Sequence, residues 1–204
     1  MRKARLACVL LFASLCEFSQ PLPAETVAYT IASAENTRFV LEVFKTRLMS
    51  GKVHVFLFPR YTGSLAYDSE APAKSSVKIE IESGSIECTD TWVSAKDLSK
   101  VVKMAREDML AVDKYPRMSF TSSGVRRRGE GEFEVDGSLT IRGLSRPSVV
   151  LVKILSGEGG ELILEGKSTV NLEDYGLKPP SAALGMVGTK NEMEVSFALR
   201  ARPE

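Results

Sequence analysis

The sequence predicts an all-β antiparallel fold with one inserted helix, closed into an eight-stranded barrel. Most of the chain after residue 24 alternates apolar and polar side chains with a period of two, which is typical of strands that bury one face. A single stretch has helical periodicity instead. Strands patterned in this way build sandwiches or barrels, and two long hairpins with glycine bends favour closure into a barrel.

The helix is predicted over residues 97–112. Ser94 and Asp97 have the spacing of a capping box, which supplies acceptors to the first free backbone N–H groups. Pro116 ends the helix because proline cannot continue its hydrogen bonding. We expect the helix to pack against one end of the barrel through residues spaced three and four apart. These apolar residues are Leu98, Val101, Val102, Ala105, Met109 and Val112.

Six strands are predicted before the helix. In the second of them, Phe39, Leu41 and Val43 occupy alternating positions and are expected to face inward. Pro59 follows the third strand, where it suits a bend or an edge position. The six strands span residues 29–31, 37–44, 53–58, 61–67, 77–82 and 86–89.

After the helix we expect two hairpins and a last strand, over residues 193–199. The first hairpin joins residues 117–125 to residues 131–141, with a bulge or bend at Gly137. The second hairpin joins residues 148–155 to residues 161–170. The long loop over residues 176–190 is either a lid over the barrel mouth or a plain connector.

Residues 1–24 have the pattern of a cleaved signal peptide. Arg2, Lys3 and Arg5 precede an apolar run over residues 6–15 that is too short to span a bilayer, and Ala24 is a small residue at the expected cut. A retained anchor is the alternative interpretation. We therefore expect a periplasmic or secreted protein whose single domain comprises residues 25–204.

Charge and cysteine content narrow the function classes further. The formal net charge of +1 gives no indication of a nucleic-acid partner. Cleavage would remove Cys8 and Cys16, so Cys88 would remain alone and no intrachain disulfide could form. We predict no metal site, because the one histidine, His54, and Cys88 do not converge in any ligand spacing.

The inward-facing side chains of the predicted barrel form either a filled core or a ligand cavity. Packed interiors are the commoner outcome for apolar residues, and the pattern leaves both open. The side chains expected to line this interior are Phe39, Leu41, Ile79, Phe120, Phe133, Leu151, Leu162, Leu164, Val195 and Phe197.

Four stretches of the chain resemble the YceI-like, polyisoprenoid-binding family, in the order in which the family has them. Together they span nearly the whole chain after residue 24. They are YTI at 29–31 with TRFVLEV at 37–43, GKVHV at 51–55 with YTGSLAYD at 61–68, KDL at 96–98 through KYPRMSFTS at 114–122, and VDGSLTIRG at 135–143 with DYG at 174–176 and VGTKNE at 187–192.

The resemblance implies a lipocalin-like extended barrel that binds a polyisoprenoid or an isoprenoid quinone in a cavity. It implies a carrier or storage protein rather than an enzyme, without a cofactor other than the lipid, and often a homodimer. Two positions depart from the family pattern: Lys52 replaces the first of two histidines, and Leu172 replaces an arginine before the turn at residues 174–176. The alternative function is a secreted stress-response or interaction module with a filled core.

His54 and an arginine cluster are the remaining candidates for function. Nucleophilic catalysis requires a base beside a serine or cysteine, and no G-x-S-x-G motif accompanies His54, so we expect no catalytic residues. His54 is either an ordinary buried or surface histidine or a ring at the cavity mouth that contacts a quinone or phosphate oxygen. Arg126, Arg127 and Arg128 form either a solvated hairpin tip or a patch for transient contact with an anionic membrane surface.

Overall fold

A computed structural model describes residues 26–204, so the predicted signal segment lies outside the described residues. Within them, none of the helices has the length and apolar character needed to cross a membrane. The strands are β1 (Val27–Ala32), β2 (Arg38–Arg47), β3 (Val53–Leu57), β4 (Tyr61–Tyr67), β5 (Ser76–Glu82), β6 (Glu87–Cys88), β7 (Arg117–Gly129), β8 (Glu132–Ile141), β9 (Leu144–Ser156), β10 (Leu162–Asn171), β11 (Val187–Thr189) and β12 (Glu192–Pro203).

Eight antiparallel strands close into a barrel, as predicted. Their order around the wall is β1, β4, β5, β7, β8, β9, β10 and β12, and the ring closes where β12 pairs with β1 through Ile31 and Ala201. Both residues at this closure are fully buried. The period-two pattern fits this arrangement, since each strand turns one face to the interior and the other to solvent.

Strands β2, β3 and β6 extend the wall beyond the closed ring. The first half of β12 pairs with β2 rather than β1, and β2 in turn pairs with β3 and β3 with β6. The chain bends from β3 into β4 around Pro59, as that proline predicts. The helix lies at this end, where Arg106 Nη1 donates to the Gly84 carbonyl and Arg142 Nη1 to the Asp108 carbonyl.

The helix is α1 (Ala95–Met104), continued by a π-helical turn over Ala105–Met109. Ser94 caps it as predicted, because its side chain accepts the Asp97 N–H. The predicted extension to Val112 is wrong. Ala111 has a φ of 47°, a left-handed conformation that stops the helix well before Pro116.

Three details after the helix also differ from expectation. Arg126, Arg127 and Arg128 belong to β7 rather than to the turn, and Arg126 and Arg128 pair with Glu134 on β8. The bulge expected at Gly137 falls on the partner strand, between Ser122 and Gly124. The loop over residues 176–190 contains β11, which pairs with β2.

Candidate functional site

The barrel contains a cavity with a volume of about 370 Å³. Its wall consists almost wholly of apolar side chains from the barrel strands, from β2 and β3, and from the helix. Nine of the eleven residues proposed from the sequence as ligand contacts border it: Phe39, Leu41, His54, Ile79, Phe120, Phe133, Leu164, Val195 and Phe197. Their role in binding remains a prediction.

Leu151 and Leu162 do not border the cavity. Leu151 points outward with 41% of its surface exposed, because it lies opposite Glu134 in the β8–β9 pair, whereas Val150 and Val152 face inward. The prediction for Leu151 is therefore wrong. Leu162 is buried, but it lies opposite Ala201 at the packed closure of the barrel and not on the cavity.

Two phenylalanines lie flat against the wall because glycines on neighbouring strands leave room for them. A Cβ atom on Gly166 would overlap the Phe197 ring, and one on Gly137 would overlap the Phe120 ring. Rings held in this way keep their bulk out of the centre of the barrel. Phe197 also stacks on Phe39, with ring centroids 5.6 Å apart.

The helix closes part of one end of the cavity, which agrees with the expectation that it packs against one end of the barrel. Val101, Ala105 and Met109 border the cavity from α1 and its π turn. Tyr175 also borders the cavity; it is buried, and its hydroxyl donates to the Leu139 carbonyl. This end is therefore formed by short segments outside the regular barrel strands.

A polar corner at the same end interrupts the apolar wall. His54 faces inward on β3, and its Nδ1 bonds to the Asp90 carboxylate, which also accepts the Val55 N–H at 2.9 Å. Trp92 stacks on the His54 ring with centroids 5.0 Å apart and donates its Nε1–H to the Val53 carbonyl. Nδ1 thus faces the carboxylate, which leaves Nε2 as the ring nitrogen for another partner.

Cys88 joins this corner through the pairing of β6 with β3. The ligand atoms of His54, Cys88 and Asp90 all lie within 4.8 Å of one another. The sequence argument that histidine and cysteine would not converge is therefore wrong, since residues 34 positions apart meet across two paired strands. Burial raises the pKa of the Cys88 thiol to about 11, so it lacks the thiolate character of a catalytic cysteine at neutral pH.

Lys45 adds a cationic group to the same end. It borders the cavity on β2, and its Nζ lies 3.5 Å from Thr189 Oγ1 on β11. Burial lowers the pKa of Lys45 from its ordinary value of 10.5. Lys52, which was expected to depart from the family pattern, lies outside the cavity. Its Nζ is 5.6 Å from the centroid of the Trp92 ring.

Two loops beside this end expose large apolar side chains. Leu48, Leu184 and Met186 are all largely exposed. The loops are joined by the Leu48 N–H, which donates to the Met186 carbonyl, and by Arg47, whose guanidinium donates to the Gly185 carbonyl. We call the two loops that carry Leu48, Leu184 and Met186 the apolar rim.

Comparison with known proteins extends these findings. The profile of the YceI-like domain family matches residues 29–201. A UPF0312 protein of Pseudomonas savastanoi pv. phaseolicola is 28% identical over 203 residues, which cover 97% of each chain. The crystal structure of Burkholderia cenocepacia BcnA has a TM-score of 0.62 at 17% identity and covers 79% of this chain and 95% of its own. A Campylobacter jejuni YCEI protein has a TM-score of 0.54 at 17% identity, with 73% and 84% covered.

Proposed function

This chain belongs to the YceI-like domain family, and on that premise we propose that it binds an isoprenoid or isoprenoid-quinone lipid inside the barrel and carries or stores it unchanged. The observation that carries the proposal is the apolar cavity inside the barrel. Its volume of about 370 Å³ falls in the range typical of small-molecule sites. A filled core, which the alternative function requires, would leave no such space.

The proposed mechanism is burial of the lipid tail. Each methylene removed from water contributes about 0.8 kcal/mol, so a long tail needs few polar contacts to bind tightly. The wall offers the tail Phe39, Phe120 and Phe197, whose rings present flat apolar surfaces. A wall of this kind discriminates by length and shape more than by polarity.

The polar corner and the apolar rim suggest how the lipid is oriented. His54 and Lys45 are polar groups at the same end of the cavity, where a quinone oxygen or a phosphate would find hydrogen-bond donors. The apolar rim, with Leu48, Leu184 and Met186, lies beside that end. We infer that lipid enters there, with transient contact between the rim and a membrane surface in the periplasm or outside the cell.

The test combines identification of the lipid with a cavity variant. Mass spectrometry of an organic extract of the purified protein should yield an isoprenoid chain. Leu164→Phe narrows the cavity, so it should weaken binding of fluorescent isoprenoids more for long tails than for short ones. Leu151→Phe is the matched control, because Leu151 points outward from the neighbouring strand.

Equal affinity of the parent and folded Leu164→Phe proteins for every tail length would contradict binding inside the barrel. Circular dichroism establishes that both variants are folded. An extract without lipid, together with no binding of the fluorescent series by the parent, would reject the lipid-carrier function itself.

A further inference from the structure

We propose that His54, Cys88 and Asp90 form a binding site for a divalent transition-metal ion, with Zn²⁺ as the ion that best fits the three donors. The imidazole, thiol and carboxylate are the ligand types found in protein zinc sites. His54 lies on β3, Cys88 ends β6, and Asp90 lies in the segment that follows β6. The inference does not depend on the identity of any lipid.

The geometry is near that of a bound ion. The three donor atoms lie within 4.8 Å of one another. Zn–N, Zn–O and Zn–S bonds of about 2.0–2.3 Å in a tetrahedron separate the ligand atoms by about 3.3–3.8 Å. Small side-chain rotations therefore suffice to bring the donors to bonding distance, without movement of the strands.

The backbone around the site holds the donors in place. Cys88 lies opposite Phe56 in the β3–β6 pair, and the Thr89 N–H continues this pairing by donating to the Val55 carbonyl at 3.0 Å. Asp90 accepts the Val55 N–H with one carboxylate oxygen, which leaves the other directed to His54. Ligands supported in this way by neighbouring hydrogen bonds bind metals more tightly than free side chains.

The charges around the site also favour a cation. The Asp90 side chain is only 1% exposed, and among the described residues its single ion-pair partner is His54. A carboxylate buried to this degree requires compensation by a proton, a cation or hydrogen bonds. With Cys88 ionised by the metal, the two anionic ligands and the neutral imidazole balance the charge of Zn²⁺.

Three protein ligands leave one tetrahedral position open. Of the three ligands, His54 is the one that borders the cavity. Catalytic zinc sites have the same number of protein ligands, with water in the fourth position. We expect water to fill it here.

The experiment uses the full chain with Cys8→Ser and Cys16→Ser in every sample, so that Cys88 is the only thiol. Protein stripped with a chelator is titrated with ZnCl₂ by calorimetry, and with CoCl₂ by absorption spectroscopy. We expect one ion per chain, and for Co²⁺ the near-ultraviolet charge-transfer band of a thiolate ligand. Cys88→Ser should abolish that band and weaken Zn²⁺ binding at least about tenfold.

Asp90→Asn and His54→Gln should weaken Zn²⁺ binding at least about tenfold as well. Asp136→Asn is the matched control, because this carboxylate lies on the outer wall and pairs with Arg126. A further measurement needs no variant of the metal ligands. In the parent protein, bound Zn²⁺ should protect Cys88 from alkylation by iodoacetamide. Absence of one-to-one binding, Co²⁺ bound without the thiolate band, or an affinity that the three ligand variants leave unchanged would each overturn the proposal.

Discussion

Two regions of the cavity wall use inward-facing strand positions in different ways. Along β10 and β12 these positions carry Leu164, Val195 and Phe197, which form a continuous apolar surface. On β3 the same alternation places His54 beside Phe56, and the strand pairing adds Cys88 and Asp90 to the polar corner. One barrel thus has a wall that offers apolar contact area and a corner that offers directed polar atoms.

This difference shows what each region tolerates. Apolar contacts are not directional, so the wall should accept changes that keep its volume and reject those that add charge or bulk. The corner depends on hydrogen bonds at fixed positions, so there even a substitution of similar size should leave a buried polar group without its partner.

The largest effect is expected from Leu164→Arg. Leu164 is 5% exposed, and an arginine there would bury an unpaired charge, which should cost about 3–5 kcal/mol of folding free energy. Leu151→Arg is the control on the outer face of the adjacent strand and should cost less than about 0.5 kcal/mol. Urea denaturation measures both, and similar losses in the two variants would mean that the assigned faces of β9 and β10 are wrong.

Gly166→Ala should have the next largest effect. The added methyl group would displace the Phe197 ring into the cavity. We therefore expect a loss of about 1–3 kcal/mol of folding free energy and weaker binding of long lipid tails. Gly124→Ala, where the nearest atom to a new Cβ is 3.8 Å away, is the control. The double variant Gly166→Ala/Phe197→Leu should recover part of the loss, and the absence of any recovery would contradict the ring-against-glycine explanation.

Asp90→Ala tests the corner in the presence of a chelator, so that metal does not contribute. It leaves the Val55 N–H and the His54 ring without their acceptor, which should cost about 1–2 kcal/mol. Asp136→Ala removes an exposed ion pair with Arg126 and should cost less than about 1 kcal/mol. Equal denaturation midpoints for Asp90→Ala and the parent would show that the corner contributes nothing to stability.

Lys45→Met should have the smallest effect, because it removes the cost of burying the ammonium group. This group is only half-buried and partly desolvated, so the gain in folding free energy at neutral pH should be below about 1 kcal/mol. The folded-state pKa lies below 10.5, so the unfolded chain holds the proton more tightly and the penalty is present at neutral pH. The penalty disappears as pH rises through 10.5. The stability difference between variant and parent should therefore shrink toward pH 11, and a difference that grows with pH would contradict the direction of the shift.

Alternation together with the two long hairpins and the glycine bends favoured a barrel, but alternation did not predict every strand face. Where polar residues separate apolar ones, as Lys78 and Glu80 do on either side of Ile79, the inward side is unambiguous. The run from Val149 to Val152 is apolar at every position, so only pairing with β8 determines that Leu151 faces out. The helix end was likewise set by the left-handed backbone at Ala111, which no periodicity reveals.

The polar corner could not be predicted because its residues are distant in sequence. His54 and Cys88 meet only because β6, two residues long, pairs with β3. The arginines at 126–128 give the reverse case, in which adjacent charges predicted either a solvated hairpin tip or a patch for an anionic membrane surface. Glu134 and Asp136 on the neighbouring strand pair with Arg126, so the cluster is partly neutralised where the sequence showed charge of one sign.

The junction of β1 with β12 has a consequence for the order of events during synthesis. Residues 29–31 are synthesised long before residues 201–203, so their pairing cannot form until the end of β12 is present. Until then β10 and β1 present unpaired edges, which are templates for association with other chains. Contacts so far apart in sequence also make closure slow, on the order of milliseconds to seconds. The nascent barrel is therefore a species that a holding chaperone would protect.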